Sequence, residues 1–169
     1  MKQLSPYELN ENVFRLVDKD WMLVTAGTKE QFNTMTASWG GMGILWNQPI
    51  AIIFIRPTRY TYEFTEKSGS FTLCFFDKKY RKALNYCGSH SGRDVDKMRE
   101  TGLVPKVTES GNIVFQQARL VIECKKIYFQ DLDPDHFLDP STSKNYPQKD
   151  YHRMYFGSIE NCWYNEEGL

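Results

Sequence analysis

Asn33-Thr34-Met35-Thr36-Ala37-Ser38-Trp39 opens the stretch on which the reading of this chain turns. Three glycines follow at positions 40, 41 and 43, then the apolar run Ile50-Ala51-Ile52-Ile53-Phe54-Ile55 and the turn Arg56-Pro57-Thr58-Arg59-Tyr60-Thr61. In residues 33–39 the hydroxyls of Thr34, Thr36 and Ser38 alternate with Met35, Ala37 and Trp39, which puts them on one face of a strand. A solvent-facing strand and a ligand-facing strand both give that pattern. Residues 50–55 read as a buried strand. Pro57 ends it, and Thr58 is placed to cap a helix running to about Lys67. Two guanidiniums and two hydroxyls thus collect where free backbone N–H groups and the helix dipole favour an anion. A phosphate monoester fits there, and so does a solvated basic turn.

The rest of the composition narrows the classes. A chain of 169 residues suffices for one domain, here residues 1–169, with a sizeable core. Lys plus Arg and Asp plus Glu both number 21, which argues against nucleic-acid or membrane-surface binding. The four cysteines lie far apart with no C-x-x-C pair, so neither a zinc site nor a redox dithiol is expected, and no metal ligands are assigned. The start lacks an apolar leader, and the longest purely apolar run is the six residues 50–55. A cytoplasmic chain with reduced thiols is the expectation.

Along the chain, Ser5-Pro6-Tyr7-Glu8 is a capping box that opens a short helix. Strands are expected over residues 13–17, 21–26, 33–39, 50–55 and 70–76. Asp77 is expected to cap a helix with Tyr80, Ala83, Leu84 and Cys87 on its buried face, stopped by Gly88. Asp94 is expected to open a short helix ending at Gly102. Residues 113–129 read as two strands with Val121, Ile122, Ile127 and Tyr128 in the core. Residues 131–150 form a polar excursion with three prolines, anchored by Phe137 and Leu138, before a last strand over 153–163. The glycines after Trp39 do not spell a dinucleotide-binding fingerprint, and Gly88-Ser89-His90-Ser91-Gly92 has histidine where a nucleophile elbow needs serine. Six or seven short strands with a few helices predict a mainly β fold, a β-barrel with attached helices; periodicity alone leaves sandwich and barrel open.

Four motifs in order carry a resemblance: Asn-x-Met-Thr-Ala-Ser-Trp, then Arg-Pro-Thr-Arg-Tyr-Thr, then residues 91–97 with Thr101-Gly102-Leu103, then Tyr151-His152-Arg153-Met154-Tyr155-Phe156-Gly157. Over about residues 12 to 160 the chain resembles the flavin reductase-like family of FMN-binding split barrels, which includes the flavoredoxins. The resemblance implies FMN as cofactor. Its ring would lie along Asn33, Thr34, Met35, Thr36, Ala37, Ser38 and Trp39, and its phosphate on Arg56, Thr58, Arg59, Tyr60 and Thr61, helped by Lys97. Ser91, Gly92 and Arg93 would lie close by. His152 is the implied catalytic residue, over the flavin face where a nicotinamide stacks. Tyr151 stands where related reductases tend to have glycine, which narrows that place. A homodimer is implied as well.

Two activities suit these residues, because hydride and one-electron chemistry must come from a cofactor. One is an FMN-dependent oxidoreductase of the flavin reductase kind, with NADH or NADPH as co-substrate or a redox protein as donor. The other is a flavoredoxin-type electron carrier without nicotinamide turnover. A split barrel that has lost flavin is the third reading, and retention of the whole 33–61 stretch argues against it.

Overall fold

Apolar residues at alternate positions of the central strands point to both faces of one antiparallel sheet, and each face is covered. The computed structural model describes residues 1–165. Its ten strands are β1 (Lys2–Leu4), β2 (Met22–Gly27), β3 (Phe32–Ala37), β4 (Gly40–Leu45), β5 (Gln48–Ile55), β6 (Ser70–Phe75), β7 (Pro105–Val107), β8 (Ile113–Phe115), β9 (Leu120–Asp131) and β10 (Arg153–Tyr164). The α-helices are α1 (Val13–Arg15), α2 (Tyr60–Lys67), α3 (Arg81–Ser89) and α4 (Lys97–Thr101). The main sheet runs β3-β2-β6-β9-β10-β5-β4, with β1 added to β10, and β7 and β8 form a separate hairpin. On one face Val24, Ile53, Ile55, Phe71, Leu73, Phe75 and Tyr155 form the main core. On the other, Leu23, Cys74 and Phe76 meet Ala83, Leu84 and Cys87 of α3 and Phe115 of β8. The expected mainly β class with attached helices is what the chain adopts.

Several expectations give way to the structure. Residues 13–17 are not a strand: Asn12 Oδ1 accepts the Arg15 N–H and starts α1, which continues into a π-turn over Leu16–Asp20. That local cap outweighs the β preference of Val13 and Val17. The Gly40-Gly41 stretch is strand β4, paired with β5 from Gly40↔Ile53 to Leu45↔Gln48. A Cβ on Gly40 would meet the Ile52 carbonyl oxygen at 2.6 Å, so glycine permits this pairing. Trp46 and Asn47 both take positive φ to turn the hairpin. The total of ten strands exceeds the expected six or seven because β1, β4 and β7 carry little sequence signal.

The helix boundaries shift for similar reasons. Arg59, not Thr58, is the N-cap position of α2, because Arg59 N–H closes a turn on the Arg56 carbonyl at 3.0 Å and leaves Thr58 exposed on it. Asp77 precedes a 3-10 turn and makes no side-chain cap. Gly88 lies inside α3 rather than ending it; a Cβ there would stand 3.2 Å from Thr36 Cβ, so the glycine lets α3 approach β3 closely. Asp96, not Asp94, caps α4, and Gly102 at φ 68° ends it as expected. Tyr128 is 42% exposed and Ile127 half-buried, since the second half of β9 runs past the core. The capping box at Ser5 forms, over a 3-10 turn at Pro6–Glu8.

Residues 131–150 are a strap carrying 3-10 turns at Pro134–His136 and Pro140–Asn145. Phe137 anchors it against Tyr146 and Tyr151, with ring centroids 5.8 Å from each. Leu138, expected as a second anchor, is 98% exposed. Among the described residues no helix is long and apolar enough to cross a membrane.

Candidate functional site

Strand β3 forms one boundary of the main sheet, pairing with β2 alone among the described residues. The hydroxyls of β3 do not face solvent. Thr34 Oγ1 lies 2.8 Å from Thr25 Oγ1 and donates to the Val24 carbonyl at 3.2 Å, and Thr36 Oγ1 donates to the Leu84 carbonyl. With those side chains turned to the protein, β3 offers a ligand its unpaired main-chain edge. The Thr34 carbonyl already points away from β2, since it accepts from Lys97 Nζ at 2.7 Å. Alternation in an antiparallel strand puts the Thr36 N–H and C=O on that same side.

Two cavities lie along this edge and share Met35 and Arg59. The first, about 320 Å³, is lined by residues 35–39 with Phe54, Arg56, Arg59, Gly88 and His152. The second, about 160 Å³, is lined by Asn33, Met35, the α2 start from Thr58 to Thr61, residues 89–91 and Lys97. Asn33 Nδ2 donates to Thr61 Oγ1 at 2.7 Å, tying β3 to α2.

The second cavity is cationic. Lys97 is only 6% exposed, and its Nζ bridges the Thr34 carbonyl to the Cys87 carbonyl at 2.8 Å. Burial, with Arg59 adding to it, pushes its pKa down to about 8. Arg59 donates to the Gly88 carbonyl at 2.8 Å, and burial followed by the charge of Arg56 lowers its pKa too. Neither cation has a carboxylate partner among the described residues.

The first cavity has aromatic walls and a neutral base. His152 is 8% exposed, 5.1 Å from the Trp39 ring and 6.3 Å from Phe54. Its Nδ1 lies 2.8 Å from Tyr146 Oη. Burial, then the Arg56 charge, lowers its pKa to about 4, so it is uncharged at neutral pH. Arg56 is held by the strap: it donates to Asp150 Oδ1 at 2.7 Å and to the Asn145 carbonyl at 2.8 Å, and stands 4.9 Å over the Tyr146 ring.

All of the sequence-derived residues except Thr34, Gly92 and Arg93 line one of the two cavities, and Thr34 reaches Lys97 through its carbonyl. The Arg93 guanidinium pairs with Glu63 and covers the Tyr60 ring at 4.5 Å, on the surface and outside both cavities. Gly92 packs on Asn33, where a Cβ would meet Oδ1 at 2.1 Å. Residues 33–61 and 151–152 together did not reveal Phe54, Gly88, Ser89, His90, Tyr146 or Asp150 as neighbours of the site. Phe54 alternates with buried Ile53 and Ile55, which is the one signal that could have found it. Among the described residues no group of acidic, histidine and cysteine side chains is placed to hold a metal ion.

The model of the flavin reductase-like domain matches residues 14–169. The chain belongs to the flavin reductase-like family. Among solved structures, an FMN-binding protein from Thermus thermophilus with bound 1-cyclohex-2-enone is 21% identical at a TM-score of 0.70, covering 100% of this chain and 83% of that one. Flavoredoxin from Methanosarcina acetivorans is 23% identical at 0.68, covering 98% and 78%. The NADH:FAD oxidoreductase of Streptomyces globisporus is 15% identical at 0.65, covering 88% and 76%. No curated protein sequence matches the chain. These likenesses establish the FMN-binding split barrel as the fold, and the family is one of flavin-linked oxidoreductases.

Proposed function

We propose that this protein binds FMN non-covalently and acts as a flavin reductase-type oxidoreductase with NADH or NADPH as electron donor. The observation that carries the reading is the pair Lys97, buried, and Arg59, half-buried, two cations with no carboxylate partner among the described residues, beside the first turn of α2. A buried uncompensated charge is costly, and a phosphate in the 160 Å³ cavity offsets it with charge-assisted hydrogen bonds. The donor set fits a terminal phosphate: Arg59 and Lys97, the Thr58 hydroxyl, and free N–H groups at the helix start. The 320 Å³ cavity next to it suits a flat ring, with Trp39 and Phe54 as apolar walls and the β3 edge as hydrogen-bonding partner. FMN bound there supplies the hydride and one-electron chemistry that no side chain offers. No cysteine or histidine in residues 33–61 could form a covalent link to it.

The choice of FMN is supported by the Thermus thermophilus neighbour, and that of a nicotinamide donor by the Streptomyces globisporus one. One measurement tests both. The purified protein should be yellow, release FMN on acid treatment, and bleach when NADH or NADPH is added anaerobically. Release of FAD, or a colourless protein that takes up no FMN, would refute the proposal. A second reading, a flavoredoxin-type electron carrier, is favoured by the closure of His152 on three sides by Trp39, Phe54 and Tyr146. Bleaching by dithionite but by neither nicotinamide would select it.

A homodimer is part of the same proposal. Ile44, Trp46 and Tyr128 are exposed, and Trp46 packs against Tyr128 with ring centroids 6.1 Å apart, which offers an aromatic face to a second copy. Light scattering showing a monomer with flavin fully bound would remove this element.

A further inference from the structure

His152 has one ring nitrogen committed and one to spare. Nδ1 meets the Tyr146 hydroxyl in a buried contact at 2.8 Å. No buried side-chain nitrogen or oxygen among the described residues lacks a hydrogen-bond partner. Nε2 of His152 makes no hydrogen bond, so it is not sealed in; it opens on the first cavity, whose wall His152 forms.

The direction of the Tyr146 contact follows from the chemistry of the two groups. A neutral imidazole carries one N–H and one lone pair, and the bond made by one nitrogen decides the state of the other. Burial raises the pKa of the Tyr146 hydroxyl, which therefore keeps its proton. A phenol is a better donor than acceptor, so the hydroxyl donates to Nδ1 and the imidazole proton resides on Nε2. Tyr146 is not free to turn away. Its ring lies between Phe137 and Tyr151 at 5.8 and 5.1 Å, under the Arg56 guanidinium that Asp150 and the Asn145 carbonyl hold.

We propose that Tyr146 is a positioning residue that fixes His152 in its Nε2–H tautomer, so that the first cavity presents a neutral N–H donor to the carbonyl oxygen of a planar second substrate. The place of that substrate rests on the flavin-binding reading; the tautomer does not. A neutral donor suits an uncharged carboxamide, quinone or enone oxygen rather than a carboxylate, and the nearby Arg56 charge is already matched by Asp150. The strap thereby sets which molecules exchange electrons at this site, without touching them.

Nitrogen NMR of histidine-labelled, cofactor-free protein tests the first half. At neutral pH the wild type should show His152 protonated at Nε2, and Tyr146→Phe, which keeps the ring packing, should show a mixture of tautomers. FMN-loaded protein is then titrated with nicotinamide and with pyridine, which lacks the carboxamide. Nicotinamide should shift the His152 Nε2 signal, pyridine should not, and Tyr146→Phe should weaken nicotinamide binding in proportion to the Nε2–H fraction lost, about twofold for an even mixture. A wild-type Nδ1–H tautomer overturns the proposal, as does an unchanged tautomer and nicotinamide response in the variant. Should the variant not fold, the wild-type tautomer and the contrast between nicotinamide and pyridine decide the matter. If the protein takes up no FMN, the flavin reading falls, while the measurement on cofactor-free protein still decides the assignment to Tyr146.

Discussion

The two cavities share Met35 and Arg59 as a common wall, yet their charges are settled in opposite ways. Arg56 and Arg59 leave the same turn three residues apart. Arg56 finds Asp150, a carbonyl and the face of Tyr146, so its charge is matched within the protein. Among the described residues Arg59 finds only the Gly88 carbonyl, and Lys97 beside it only two more carbonyls. Carbonyl dipoles orient a cation without neutralising it. On the proposed reading an anion therefore belongs at the second cavity, and the first suits an uncharged ring.

This contrast can be broken most directly at Arg59. Arg59→Ala should lower FMN affinity by roughly tenfold to a few hundredfold, the loss of one charge-assisted contact of about 1.5–3 kcal/mol, with little change in melting temperature. Fluorescence titration measures it, and unchanged affinity would move the phosphate elsewhere. Next in size is the effect of alkali. Lys97 ordinarily titrates at 10.5 and in the folded, cofactor-free protein at about 8. Between those values the unfolded chain holds a proton that the folded chain has lost, so this group makes folding more favourable as pH rises through that window. Phosphate binding needs the charged form, so FMN affinity should fall as pH rises above about 8, approaching tenfold per pH unit, and Lys97→Met should abolish the slope.

His152→Ala should keep FMN bound and slow its reduction by NAD(P)H roughly tenfold by stopped flow, since a neutral imidazole orients and donates a hydrogen bond but has no spare proton to give. Because its pKa is depressed to about 4, the wild-type rate should show no inflection from this residue between about pH 5 and 8, while stability falls as pH drops from 6.5 toward 4, where only the unfolded chain takes up the proton. The smallest effect is expected at Arg56. Arg56→Ala should change FMN affinity less than about threefold, well short of the Arg59 variant, because its charge is already paired. Equal losses at the two arginines would erase the distinction between the cavities.

The alternation in residues 33–39, the proline stop at 57 and the face of α3 made β3, β5 and much of the site legible in sequence, because each is a local pattern. Strand β4 escaped because glycines advertise a loop, and Trp46-Asn47 is not the usual hairpin signal; pairing with β5 overrides both. The fates of Arg56 and Arg59 were indistinguishable in Arg-Pro-Thr-Arg. What separates them is Asp150, 94 positions away, delivered by a strap whose folding rests on Phe137 and Tyr146. Tyr146 itself carried no mark, being one tyrosine in a polar, proline-containing segment.

The open edge of β3 has a consequence for the life of the chain before any ligand arrives. A strand with unpaired main-chain groups is a template on which another chain can add a strand, the first step of aggregation. Lys97 places an ammonium on the Thr34 carbonyl, in the middle of that edge. A foreign strand would have to displace the charge and strand it without partners. The lysine that readies the second cavity thus also closes the middle of that edge to a foreign strand.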